Sequence, residues 1–285
     1  MTNKELLELE LNAARCRRNV VRMVEAAHHG HLGGALSCLD IVTALYFHTM
    51  KVNPADPRWE DRDRFLLSAG HKCMVQYAVL AEKGFFEKEV LDTYGSLHSH
   101  IPGHPDMHKL PGVEANTGAL GHGLSIATGM AMGLRSQGKD SRVFVVMGDG
   151  ELAEGSNWEA AAAAAHHHVD NLVLFVDFNG LQISGPVQKV MNFTPIAEHF
   201  ASFGWAVKDI DGNNMEEVVN TLDALPLEAG KPTVIVAHTV KSKGISFAEN
   251  VASYHYWTPK AEELQAAIAE LDARIAELEE EVAKA

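Results

Sequence analysis

Cysteines, aromatic residues and positive charges are all scarce in this sequence, and each shortage removes a class of explanation. Only three cysteines occur, Cys16, Cys38 and Cys73, far apart and without a CxxC pair. An odd, scattered set argues against a disulfide framework or a zinc site and fits a reducing, cytoplasmic setting. Lysine and arginine number 24 against 38 acids, a formal charge of −14. Phosphate contacts need clustered cations, so a nucleic-acid partner is not expected. Part of the deficit is local: residues 261–285 hold eight acids and two bases, a net of −6. No uninterrupted apolar run is long enough for a membrane span. The most apolar long window, Thr117 to Leu134, is broken by glycines, His122 and Ser125. The N-terminal stretch "MTNKELLELELNAARCRRNVV" is charged throughout, unlike a signal peptide. Aromatic content is only 7%, whereas alanine and glycine are abundant, a balance suited to closely packed helices in an α/β protein. What remains is 285 residues at 46% hydrophobic content, enough for one large core or two small ones.

Residues 4–27 read as an amphipathic helix, with Leu7, Leu11, Ala14 and Val21 at helical spacing. The glycine-rich "HHGHLGGALS" is expected to interrupt before a second helix, Cys38 to Met50. "RFLLS" reads as a short buried strand, and "HKCMVQYAVLAEKG" as a helix closed by Gly84. Prolines 102, 105 and 111 with five glycines mark a long irregular loop, and loops of that length in compact domains usually carry function. Val143 to Met147 and Leu172 to Val176 are apolar β-runs on either side of an alanine-rich helix. Ser156 with Glu159 three residues on is a capping-box signature for its start. Strand, helix and strand within about 35 residues form a βαβ unit with parallel strands. "WAVKDIDG" and "PTVIVAHTV" add two strands around the helix "NMEEVVNTLDAL". The expected architecture is a doubly wound parallel sheet with helices on both faces. Beyond Pro259, Leu264, Ile268, Leu271, Ile275, Leu278 and Val282 form one apolar stripe. That divides the chain into residues 1–258 and a C-terminal amphipathic helix, 259–285, packing on its own body or on a partner.

Both β-runs of the βαβ unit stop at oxygen-bearing side chains: Gly148-Asp149-Gly150 after the first, Asp177 and Asn179 after the second. Parallel strands bring Asp149 and Asn179 out at one carboxyl edge, where such folds bind ligands. A carboxylate and an amide there, with a backbone carbonyl nearby, suit Mg²⁺, a hard cation that takes oxygen ligands and commonly bridges phosphates. Gly148 and Gly150 leave room for a diphosphate to approach the main chain. An ordinary turn after a buried strand uses the same residue types. The following helix, second strand and placed Asn argue for the site.

The pattern resembles the thiamin-diphosphate motif, GDG followed about thirty residues on by Asn. The neighbouring stretches "GHLGGALS", "LSAGHKC", "PGHPDMHKLPGVEANTGALGHGLSIATGMAMG", "GDGELAEGSNWEA" and "FNGLQISG" resemble transketolases, in order, from about residue 10 to 258. The resemblance implies the thiamin-diphosphate-binding fold and two-carbon ketol transfer from a ketose to an aldose, with thiamin diphosphate and Mg²⁺. Asp149, the Asn179 side chain and the Leu181 carbonyl are then the metal ligands. Cofactor contacts fall to His71, Gly118, Leu120, Gly148, Gly150, Glu154, Asn179, Ile183 and His255. Full-length transketolases carry a second, pyrimidine-binding domain and a third, so this chain looks like the N-terminal subunit of a split enzyme. A separate C-terminal subunit would complete it, as a heterotetramer. The alternatives are a deoxyxylulose-phosphate synthase-like enzyme, the alpha chain of a 2-oxo acid dehydrogenase and a non-catalytic scaffold.

Most of the sixteen histidines have no particular context. His31, His71, His104 and His255 differ, each in a glycine-rich or loop setting that matches the family. The resemblance makes them catalytic, lining the thiazolium and the hydroxyl-bearing carbons of the sugar, where imidazoles exchange protons near neutral pH. Glu154 and Glu159 match family positions at the contact with the pyrimidine domain. Leu32 and His122 depart from the family's usual Pro and Gln, which bears on substrate preference rather than on the cofactor.

Overall fold

The computed structural model describes all 285 residues. In chain order its strands are β1 (Arg64–Leu67), β2 (Val143–Gly148), β3 (Leu172–Phe178), β4 (Leu181–Gln182), β5 (Gly185–Pro186), β6 (Ala206–Asp211) and β7 (Thr233–His238). Five of them make one sheet in the order β1-β2-β3-β7-β6, every pair parallel, while β4 and β5 form a small antiparallel hairpin. The helices are α1 (Asn3–Ala27), α2 (Leu32–Ser37), α3 (Leu39–Ala44), α4 (Met74–Lys83), α5 (Gly123–Ser136), α6 (Gly155–His166), α7 (Val187–Val190), α8 (Ile196–Phe203), α9 (Met215–Asp223) and α10 (Ala261–Lys284).

The sheet's alternation sorts its side chains into two cores. Phe144, Val146, Phe175 and Ile235 point to one face, covered by α1, α3, α4 and α9. Val145, Met147, Leu174 and Val234 point to the other, covered by α5, α6 and α8. Strands buried on both faces read as continuous apolar runs, as β2 and β3 do. Each fully buried Val or Phe adds roughly 1.5–3 kcal/mol of stabilisation. The doubly wound expectation holds. No helix is long and apolar enough to cross a membrane.

Three local expectations need correction. The glycine-rich stretch interrupts only over residues 28–31, which lie between α1 and α2; α2 itself runs through Gly33 and Gly34 and is buried along its length. A Cβ at Gly33 would lie 2.8 Å from Lys241 Cε, and one at Gly34 would lie 2.9 Å from Lys72 Cε. The glycines let two lysine stems cross the helix. The expected helix from Cys38 to Met50 starts one residue later and widens into a π-helical turn over Leu45–Thr49. The capping box at Ser156 does not form either. α6 begins at Gly155 without a side-chain cap, and the Ser156 hydroxyl donates to the Gly121 carbonyl at 2.8 Å.

α10 folds back on α1. Leu278 packs with Leu11 and Ala14, while Ala267 and Leu271 join the main core. Arg15–Glu279 and Arg18–Asp272 pair across the seam.

Candidate active site

The register pairs Gly148 with Asp177, so β2 and β3 end side by side. Asp149 is thereby set against the loop after β3: its two carboxylate oxygens accept from the Gly150 N–H at 2.7 Å and the Gly180 N–H at 2.8 Å. Asn179 Oδ1 accepts from the Leu181 N–H at 3.1 Å. Burial, and then the nearby Asp177 carboxylate, push the Asp149 pKa up to about 6. An acid held this way gains from a cation beside it. No three His, Cys, Asp or Glu side chains are grouped to hold a metal on their own. One carboxylate, one amide and one carbonyl leave the rest of an oxygen shell to phosphate and water, which suits Mg²⁺ better than a transition metal.

Glu151 braces this edge. Its buried carboxylate accepts from the Ser68 hydroxyl at 2.5 Å, the Gly121 N–H at 2.8 Å and the Gly148 N–H at 3.4 Å. Burial raises its pKa. The clamp ties the loop bearing Gly118 and Leu120 to the GDG turn.

Three histidines converge above. His31 precedes α2, His71 lies in the turn after β1, and His255 lies in the turn Ala252–His255. Ring centroids are 5.3 Å apart for His31 and His71, and 5.6 Å for each of them with His255. A two-way bridge between Gly30 and Trp257, at 2.9 and 2.8 Å, joins the first segment to the last. Desolvation lowers all three pKa values, aided by neighbouring histidines and lysines: His71 falls to about 3 and His255 to about 4. Neutral imidazoles can each donate one hydrogen bond and accept another.

These groups share one cleft of about 310 Å³. It brings together His31, His71 and His255 with Leu120, Gly148, Asp149 and Gly150, and with Asn179, Leu181 and Ile183. Four expected residues stand outside its lining: Gly118, His104, Glu154 and Glu159. His104 is exposed at the rim, its ring over Gly118, where a Cβ would lie 2.8 Å from His104 Cδ2. It stays close enough to depress His31 and His71. Glu154 is exposed just before α6, and Glu159 is exposed on that helix. His122 is also exposed, its Nδ1–H donating to the Leu120 carbonyl at 3.1 Å.

Sequence reasoning missed the cations. Lys72 is buried and donates to Asp177 Oδ2 at 2.5 Å; Ser37 and Thr239 also donate to that carboxylate. Lys241 Nζ donates to the Leu181 carbonyl at 2.9 Å, and burial followed by Lys72 lowers its pKa to about 8. The signal was a lysine immediately inside an apolar motif at a strand end, in "GHKCMV" and "AHTVKS".

Residues 10–277 match the family described as "Transketolase, thiamine diphosphate binding domain". The chain belongs to the transketolase family. It corresponds to the N-terminal, cofactor-binding part of a thiamin-diphosphate-dependent transketolase. It is 43% identical over 263 residues to a subunit of the apulose-4-phosphate transketolase of Phocaeicola vulgatus, covering 92% of this chain and 93% of that one. It is 37% identical over 269 residues to a 6-deoxy-6-sulfo-D-fructose transketolase subunit of a Clostridium species, covering 94% and 98%. The solved transketolase of Campylobacter jejuni superposes with a TM-score of 0.83 at 30% identity, covering 98% of this chain and 48% of that one. This transketolase chain thus spans about half the length of that solved chain.

Proposed function

We propose that this chain, with a separate C-terminal subunit, transfers a two-carbon ketol unit from a ketose to an aldose, using thiamin diphosphate and Mg²⁺. The observation that carries the reading is the cleft itself: three neutral imidazoles within 5.6 Å of one another over the strand-end oxygens of Asp149 and Asn179. Asp149, Asn179 and the Leu181 carbonyl would hold Mg²⁺, with Lys241 sharing the carbonyl through its second lone pair, and Gly148 and Gly150 would leave room for a diphosphate. Thiamin diphosphate, when bound, supplies the electron sink that lets a carbon–carbon bond beside a ketone break. His31 and His71 would hold the sugar hydroxyls and move their protons, His255 would hold a substrate oxygen by hydrogen bonding, and His104 would reach the substrate from the rim once a partner closes the cleft.

The cleft lining contains no arginine, and its two lysines are committed to Asp177 and to the Leu181 carbonyl and His255, so a terminal phosphate or sulfonate on the sugar would be read by the partner. Relatives named for apulose-4-phosphate and for a sulfo-fructose support an anionic sugar substrate. Two pairs of subunits would form a heterotetramer in the cytoplasm. The test mixes this chain with its partner, thiamin diphosphate, Mg²⁺, a ketose donor and an aldose acceptor. Ketol transfer that needs all of them is expected; a mixture without cofactor-dependent transfer would point to a scaffold role.

A further inference from the structure

We infer that Lys241 is a positioning residue of the cleft: its ammonium fixes the ring proton of His255 on Nε2 and ties that ring to the Leu181 carbonyl. The lysine follows β7, is 2% exposed, and runs in a channel that only a glycine at position 33 leaves open. Its Nζ lies 2.9 Å from the Leu181 carbonyl oxygen and 3.1 Å from His255 Nδ1. An ammonium has donors and no acceptor, so Nδ1 must be the accepting nitrogen. A neutral imidazole with Nδ1 accepting carries its proton on Nε2.

His255 is kept neutral by its surroundings. Burial, then Lys241, His31 and Lys72, hold its pKa far below the ordinary value, and the His71 ring lies 5.6 Å away. Its one free nitrogen therefore presents an N–H to the cleft. The chemical role follows: His255 donates a hydrogen bond to a substrate oxygen and does not abstract a proton. Abstraction falls to His31, His71 or His104. This division of labour rests on the reading of the cleft as the sugar site, but the Lys241–His255 contact does not.

The test reads ring nitrogens by ¹⁵N NMR on the full chain alone, without cofactor, partner or turnover, so it fails independently of the transketolase reading. His255 is assigned by the resonances lost in His255→Gln. The wild type is expected to show a neutral His255 with its proton on Nε2 at pH 7. In Lys241→Met the Nδ1 resonance is expected to move as its donor is lost. The titration midpoint of His255 should also rise by about one pH unit, the scale of removing one adjacent cation. A proton on Nδ1 in the wild type overturns the proposal, and that spectrum decides even where Lys241→Met does not fold. An unmoved Nδ1 resonance and midpoint in a folded Lys241→Met protein also overturn it.

Discussion

Asp149 is asked to be anionic in a place that disfavours anions. Burial and Asp177 raise its pKa to about 6, against two backbone N–H donors that favour the charged form. A divalent cation resolves the conflict, so Asp149→Ala is expected to abolish Mg²⁺-dependent binding of thiamin diphosphate while leaving the fold intact. Calorimetric titration checks this, and wild-type affinity in the variant would remove Asp149 from the site. His71 poses the opposite problem, a base held neutral by burial and by Lys72, with its pKa at about 3. The unfolded chain takes up that proton near pH 6.5. Between these values the unfolded state binds more protons, so stability falls as pH falls, by up to about 1.4 kcal/mol per pH unit for this ring. Asp149 acts in the reverse sense over part of the window, so the comparison must be made against a variant. From pH 7 to 5 the wild type should lose roughly 2 kcal/mol more than His71→Asn in denaturant titrations. Equal losses would mean that the folded ring already takes a proton.

Elements reach the site through close backbone contacts. A Cβ on Gly70, in the turn after β1, would lie 2.6 Å from the Thr117 carbonyl carbon and 2.7 Å from the Gly118 nitrogen. Backbone cannot rotate away as a side chain can. Gly70→Ala is therefore expected to cost about 1–3 kcal/mol and to weaken cofactor binding by displacing the loop that carries Gly118 and Leu120. Gly129→Ala, on the exposed face of α5 where a Cβ meets nothing within 4 Å, should instead stabilise by up to about 1 kcal/mol. Thermal unfolding of both variants measures the contrast; like-signed shifts would refute it. The same physics explains what could be read from the sequence. β2, α6 and β3 were legible because strands buried on both faces are apolar throughout, and their parallel pairing then brought Asp149 and Asn179 to one edge. α2 was not legible, since Gly33 and Gly34 locally favour a loop. Their reason lies in Lys241 and Lys72, distant in sequence and crossing that face. The lysines were missed for a related cause: lysine ordinarily seeks water, and here the Asp177 carboxylate draws in one while the Leu181 carbonyl and His255 Nδ1 draw in the other. The Ser156 capping box failed because a tertiary carbonyl, Gly121, took the hydroxyl.

At the scale of the whole molecule, the cleft is a single wall. Ile183 at its mouth is 72% exposed, and His104 stands at the rim with no protein surface closing over it. Catalysis in such a site depends on excluding water and on holding both sugars in register, which one wall does not do. The five-stranded sheet and its helices account for the chain as far as α10, and α10 is spent on α1. Beside that sheet these 285 residues hold only the β4–β5 hairpin, and no second parallel sheet to carry the other half of the cofactor. Relatives named as transketolase subunits, one of them matched over 93% of its own length, are consistent with a division between two chains. The expectation is that the purified chain, given ample thiamin diphosphate, Mg²⁺, a ketose and an aldose, turns nothing over. Adding the C-terminal subunit should restore ketol transfer, with activity rising until the two chains are equimolar. Sustained turnover by the 285-residue chain alone would refute the division, and would require a pyrimidine-side wall built by a second copy of this same chain.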